Sequence, residues 1–179
     1  LVAGLMYATW LQSMWAWRPL VRLTGESHSG KTEFTELAKQ LYLNTALIVA
    51  SATEAAIRQV VGVSSLPVML DEFDRAKRAE AILDLLRGSS KNQAYVRGTS
   101  GHKAVLFQMR HIPWLIGIHA SLGGQADENR FISLELKTSV TDTIERPTPD
   151  EAEALGYRML ASSIVTAREA LGLELVLRD

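Results

Sequence analysis

GESHSGKT, Gly25 to Thr32, stands between a short apolar run, Pro19 to Leu23, and a helical pattern from Lys31 to Leu43. The octet fulfils the spacing G-x-x-x-x-G-K-[ST], and its setting predicts a strand, a tight loop and a helix in succession. Gly25 and Gly30 allow the chain to turn so that successive backbone N–H groups face inward, and the helix that follows presents its positive dipole end to the same point. Such a loop is built to hold phosphate. The expected binding residues are Gly25, Glu26, Ser27, His28, Ser29, Gly30, Lys31 and Thr32. Lys31 brings a mobile charge to the β- and γ-phosphates of a nucleotide, and the Thr32 hydroxyl suits one coordination position on Mg²⁺.

Some forty residues on, Leu66 to Asp74 reads LPVMLDEFD. Val68, Met69 and Leu70 have the unbroken apolar character of a strand buried on both faces of a parallel sheet. Asp71 then falls at the carboxyl end of that strand, where open α/β sheets bind their ligands, and suits a magnesium-holding role. Glu72 is expected to orient and deprotonate an attacking water. An acidic cluster after a strand can instead be a helix cap. The phosphate-binding octet upstream makes the metal-and-water reading the stronger one.

Strands are expected at Leu20 to Leu23, Ala46 to Ala50, Val68 to Leu70, Trp114 to His119 and Phe131 to Leu136. Helices are expected at Lys31 to Leu43, Thr53 to Val61, Arg75 to Arg87 and Asp150 to Leu171. This alternation predicts an α/β fold, a doubly wound five-stranded parallel sheet with a C-terminal helical segment. Ala94 to Arg97 and Ala104 to Phe107 flank GTSGHK, Gly98 to Lys103, which has the punctuation of a β-hairpin inserted between the third and fourth strands. Three parts follow: a packing helix over 1–17, a core over 18–146 with the hairpin at about 94–107, and the start of a helical lid over 147–179. Pro147 and Pro149 mark the last boundary.

The first seventeen residues, LVAGLMYATWLQSMWAW, carry no charge. They are too short, and too interrupted by Gln12 and Ser13, for a membrane span, so a helix packed on the core is expected, with Trp10, Trp15 and Trp17 as packing residues. The chain has 179 residues, 47% of them hydrophobic and 22% charged, which is ordinary globular composition. It has no cysteine, which excludes disulfides and thiolate metal sites and agrees with a cytoplasmic location. Leu1 and the closing LVLRD look like the ends of a segment from a longer protein.

Charge is unevenly spread. From Arg75 to His111 eight Lys or Arg face two acids, a balance of +6, while the whole chain carries −1. A local polyanion contact is expected of this segment, in preference to a merely solvated face. Arg97, His102 and Lys103 are the candidate DNA-binding residues. Arg130, just ahead of the fifth strand, is a candidate to stabilise charge on the γ-phosphate in a neighbouring subunit, in preference to a surface arginine paired with Asp127 or Glu128. His119 is the candidate γ-phosphate sensor, Ser121 the second choice, and a satisfied core histidine an equal reading of His119.

The succession WRPLVRLTGESHSGKT, SATEAAIRQ, LPVMLDEFD, a basic helix, LRGSSKNQAYVRGTSGHKAVLF and ADENRFISLEL resembles the ATPase domain of phage and plasmid-type DNA primase-helicase proteins. The resemblance spans Trp17 to Leu136 and extends to superfamily 3 helicases and the wider AAA+ class of P-loop NTPases. It implies an oligomeric motor, a ring with a hexamer favoured, that uses ATP and Mg²⁺ to move on single-stranded DNA, with the hairpin in the central channel. Flanking domains such as a primase would be missing from this segment, and no membrane partner is implied. The fourth strand ends in IHAS, where many relatives of the wider class carry asparagine, so His119 and Ser121 both stay open as sensors. Arg158 and Arg168 are both open as second sensors in the helical lid. Two other classes remain: a DNA-binding loader or remodelling ATPase that does not translocate, and a small-molecule phosphotransferase, which would leave the basic hairpin unexplained.

Overall fold

The computed structural model describes residues 1–50, 52–61, 64–76, 79–91, 93–98, 104–119, 128–138 and 145–172. After helix α1 (Val2–Trp10) and a 3-10 turn at Gln12–Met14 come β1 (Leu20–Gly25), α2 (Lys31–Leu41), β2 (Leu47–Val49), α3 (Glu54–Val61) and β3 (Val68–Leu70). A second 3-10 turn, Phe73–Arg75, leads to α4 (Ala79–Ser90), β4 (Ala94–Gly98), β5 (Ala104–Gln108), β6 (Trp114–Gly117), β7 (Phe131–Leu136) and α5 (Pro149–Ala170). Five strands form one parallel sheet in the order β2-β3-β6-β1-β7, and β4 and β5 pair antiparallel as a separate hairpin.

Strand periodicity divides the core into two layers. Leu20, Val68, Leu70 and Leu115 face one way, against Ile57 and Val61 of α3 and Ile82 to Leu86 of α4. Val21, Leu23, Met69, Trp114 and Ile116 face the other, against Leu5 and Met6 of α1 and Ala38 and Leu41 of α2. The central strands are apolar on both sides because both sides are covered. β1 breaks that pattern at Arg22, whose guanidinium donates to Ser133 Oγ of β7 at 3.1 Å and pairs with Glu128 at 3.3 Å, and at Thr24, whose hydroxyl donates to the Leu134 carbonyl at 3.3 Å.

The uncharged N-terminal segment is sewn onto the amino end of the sheet by polar bonds as well as apolar contact. Trp114 Nε1 donates to Thr9 Oγ1 at 3.2 Å, Tyr42 Oη donates to the Met6 carbonyl at 3.1 Å, and Ile112 N donates to Gln12 Oε1 at 2.7 Å. Gln12, which interrupts the apolar run, is therefore fully buried with a partner. Trp15 and Trp17 depart from their expected packing role: they are 47% and 51% exposed, because the chain leaves α1 through the 3-10 turn before reaching them. The helix expected at Arg75 to Arg87 is observed over Ala79–Ser90, Arg75 belonging to the 3-10 turn.

α5 opens with a capping box. Glu151 N donates to Thr148 Oγ1, Thr148 N donates to Glu151 Oε2 at 2.8 Å, and Pro149 takes the first helical position, where its missing N–H costs nothing. Those bonds to the carboxylate hold the Glu151 pKa below its usual value. Among the described residues, no helix is long and apolar enough to cross a membrane.

Candidate functional site

β1 ends at Gly25, and a Cβ there would stand 2.8 Å from the Leu136 carbonyl, so only glycine lets the loop leave the sheet between β1 and β7. The turn is completed by His28 and Gly30 in the left-handed region, at φ 66° and 94°. Histidine enters that region more readily than most residues. Lys31 opens α2 and folds back over the loop: its Nζ donates to the carbonyls of Gly25 and Glu26, each at 2.6 Å, and to Ser29 Oγ at 3.3 Å. All three ammonium protons are thus held by the loop that Lys31 follows.

β6 lies between β1 and β3 in the sheet, so the end of β6 separates the Gly25–Thr32 loop from the acidic end of β3. The result is a cleft of about 410 Å³ lined by Ser27, His28, Lys31 and Thr32 on one side, Asp71, Glu72, Asp74 and Arg75 on the other, and Gly117 and Ile118 at its back. Asp71 Oδ1 accepts from Glu72 N at 2.8 Å. Glu72 sits in the left-handed region at φ 49° and ψ 37°, a conformation that costs a non-glycine residue about 1 kcal/mol. Its carboxylate pairs with Arg75 at 2.9 Å. Strain of this kind persists where the surroundings over-determine it, and the 3-10 turn closed by Arg75 N on the Glu72 carbonyl at 2.8 Å does so here.

Asp74 was not singled out by the sequence, although it is the last acid of LPVMLDEFD. Its carboxylate accepts from Ile118 N and, at 3.3 Å, from His119 N, and a Cβ at Gly117 would collide with it. It latches the acidic turn to the end of β6. His119 is exposed and meets this latch through its backbone; it is not among the residues lining the cleft.

Arg130 lies at the other end of the sheet. Its carbonyl accepts from Leu20 N at 2.9 Å, at the start of β1, whereas the loop begins at Gly25, five residues and about 16 Å further along. Arg130 therefore does not reach the cleft of its own chain. Arg158 and Arg168, on α5, are also absent from its lining. His102, Lys103 and Ser121 lie outside the described residues, as does the side chain of Arg97.

The hairpin is fixed at its base. Tyr95 Oη donates to the Asp84 carbonyl at 3.3 Å, Gly88 leaves room for that ring, and the Arg58 guanidinium lies 5.9 Å from the centroids of both Tyr95 and Phe107. Burial raises the Tyr95 pKa. Outside the base, Val96 and Leu106 oppose each other and are 67% and 54% exposed. Arg87, counted toward the basic segment, pairs with both Glu80 and Asp84. Part of the segment's positive charge is thus answered locally.

A second cavity of about 510 Å³ adjoins the cleft through Thr32 and is lined mainly by Glu33, Phe34, Leu37, Gln40, Arg146 and Pro147. Sequence spacing held no signal for it, because it joins the outer face of α2 to the segment before α5.

The chain is similar in structure to the NrS-1 C terminal region. That structure, described as an A form apo structure, superposes with a TM-score of 0.53 at 16% identity, covering 92% of this chain and 40% of that one. Likeness at this identity establishes a shared fold, an α/β architecture with a five-stranded parallel sheet and a C-terminal helix. The present chain spans about two fifths of the NrS-1 region it matches. No family model and no curated protein matches the sequence.

Proposed function

We propose that this chain is a P-loop ATPase of the AAA+ type whose hydrolysis of ATP drives movement on, or unwinding of, DNA, as the motor of a mobile-element replication protein. One observation carries the reading: a glycine-bounded loop with its lysine and threonine, and an acid pair from a separate strand, line one cleft at the carboxyl end of a parallel sheet. The order of motifs along the chain and the fold shared with the NrS-1 C terminal region support it.

In this mechanism the loop amides and Lys31 bind the phosphates, Lys31 exchanging the Gly25 and Glu26 carbonyls for phosphate oxygens. The adjoining cavity, with the Phe34 and Leu37 side chains beside polar Gln40, suits the nucleoside. Thr32 and Asp71 fit magnesium. They supply one hydroxyl and one carboxylate, Asp71 keeps Oδ2 without a hydrogen bond among the described residues, and magnesium characteristically completes its shell with phosphate oxygens and water. When bound it would neutralise charge on the β- and γ-phosphates. Glu72 accepts a proton from the attacking water as the new bond to the γ-phosphorus forms and the bond to the bridging oxygen of ADP breaks. Lys31 stabilises the charge that develops, and Arg130 of an adjacent copy does the same in trans, which accords with its distance from its own cleft.

The test is the ATPase rate measured with and without single-stranded DNA across a range of protein concentration. A ring motor responds to both variables, and a phosphotransferase to neither. Stimulation by DNA without strand displacement or translocation in companion assays would select the loader reading. An absence of nucleotide hydrolysis under every condition would overturn the proposal.

A further inference from the structure

Arg75 stands in the same cleft as Lys31 and Thr32, three residues after Glu72, and its guanidinium holds the Glu72 carboxylate at 2.9 Å. Its side chain is 76% exposed and that of Glu72 49%, so the pair is open to competition from any stronger anion entering the cleft. At equal exposure a terminal phosphate carries more negative charge than a carboxylate and offers three acceptor oxygens to the planar guanidinium. Phosphate wins that competition. The 3-10 turn and the Asp74 latch fix the backbone on which both side chains stand, so a change of partner by Arg75 needs only side-chain rotation.

Resting on the nucleotide reading above, we propose that Arg75 distinguishes a nucleoside triphosphate from a diphosphate: it binds the γ-phosphate and, in moving to it, releases Glu72 to face water. Without a γ-phosphate, Arg75 keeps Glu72 occupied. The pair therefore couples the presence of the hydrolysable group to the availability of the base.

The experiment is a double-substitution cycle read by binding, not by turnover. Affinities for ADP and for the β,γ-imido analogue of ATP, both with Mg²⁺, are measured for wild type, Arg75→Ala, Arg75→Lys, Glu72→Gln and the Arg75→Ala/Glu72→Gln double variant. Arg75→Ala should weaken the triphosphate analogue about ten- to a hundredfold and leave ADP within about twofold, with Arg75→Lys recovering part of the loss. Glu72→Gln frees Arg75 from its competitor, so it should tighten the analogue about two- to fivefold, and that gain should vanish in the double variant. Equal effects of Arg75→Ala on both nucleotides, or additivity across the cycle, would overturn the proposal while leaving the nucleotide site standing. Wild-type protein that binds neither nucleotide would overturn both.

Discussion

At the carboxyl end of the sheet Lys31 and Arg75 line an open cleft, whereas at the amino end Arg18 and His111 are sealed beneath the N-terminal segment, 1% and 0% exposed. Arg18 Nε donates to the Gln12 carbonyl at 2.5 Å and its other nitrogens reach the Ser13 and Ser89 carbonyls at 3.4 Å, so the guanidinium is held by backbone. Desolvation, and then the nearby Arg110, lower its pKa. His111 Nδ1 accepts from Arg110 N at 3.1 Å, which makes Nε2 the protonated nitrogen of a neutral ring, and burial followed by the Arg18 charge lowers its pKa to about 4. The same kinds of residue thus serve opposite ends. At the carboxyl end the donors lie open and can exchange partners, whereas at the amino end burial fixes them.

Arg130 stands at the amino end yet is assigned to a carboxyl-end site in another copy. Arg130→Ala should reduce ATP hydrolysis by about 10³ to 10⁵ while much of the ATP affinity remains. Mixing it with Lys31→Ala should restore some activity through composite sites; full activity of Arg130→Ala alone would confine Arg130 to the fold.

Glu72→Gln should lower turnover by about 10² to 10⁴ with ATP still bound and thermal stability unchanged, because the side chain lies at the open end. Normal single-turnover kinetics in that variant would remove Glu72 from the chemistry.

His111 should show the reverse profile, stability without chemistry. Its folded pKa lies below the unfolded value of 6.5, so the unfolded chain binds the extra proton between pH 6.5 and about 4. Stability from this group is complete above pH 6.5 and should fall by about 3 kcal/mol as pH drops through that window. Denaturant midpoints measured from pH 7 to 4 should follow this slope, and His111→Phe should flatten it. An unchanged slope in a folded His111→Phe protein would place the titration elsewhere.

The strand segments were legible to within about two residues at either end, because Val68 to Leu70 and the first four residues of the expected Trp114 to His119 are buried on both sides and so read as unbroken apolar runs. Legible too was the local shape of Gly25 to Thr32, which depends on glycine at two turns and a helix directly after. Sheet order was not. The place of β6 between β1 and β3 arises from pairings across some ninety and forty-five residues, which no local pattern records. Hidden for the same reason were the Asp74 latch, the Gln12 bond to Ile112 and the burial of Arg18 and His111. Asp74 and Gln12 bond to partners far along the chain, and Arg18 and His111 are buried where segments distant in sequence meet, Arg18 reaching the Ser89 carbonyl and His111 N donating to Ser89 Oγ. The exposed Trp15 and Trp17 misled in the opposite sense, since an aromatic residue next to a helix ordinarily packs.

Gly156 of α5 rests against the end of α2, where a Cβ would stand 2.7 Å from the Leu41 carbonyl. Two helices therefore touch backbone to backbone at one point, with no side chain to cushion them. α2 begins at Lys31 in the cleft, and α5, with 22 residues, is a rod about 33 Å long. The contact lies about a third of the way along that rod, and the far half packs on α1, where Tyr7 Oη meets Ser162 Oγ at 3.0 Å and Thr166 Oγ1 at 2.9 Å, so α5 ties the helix that opens the cleft to the segment that covers the other end of the sheet.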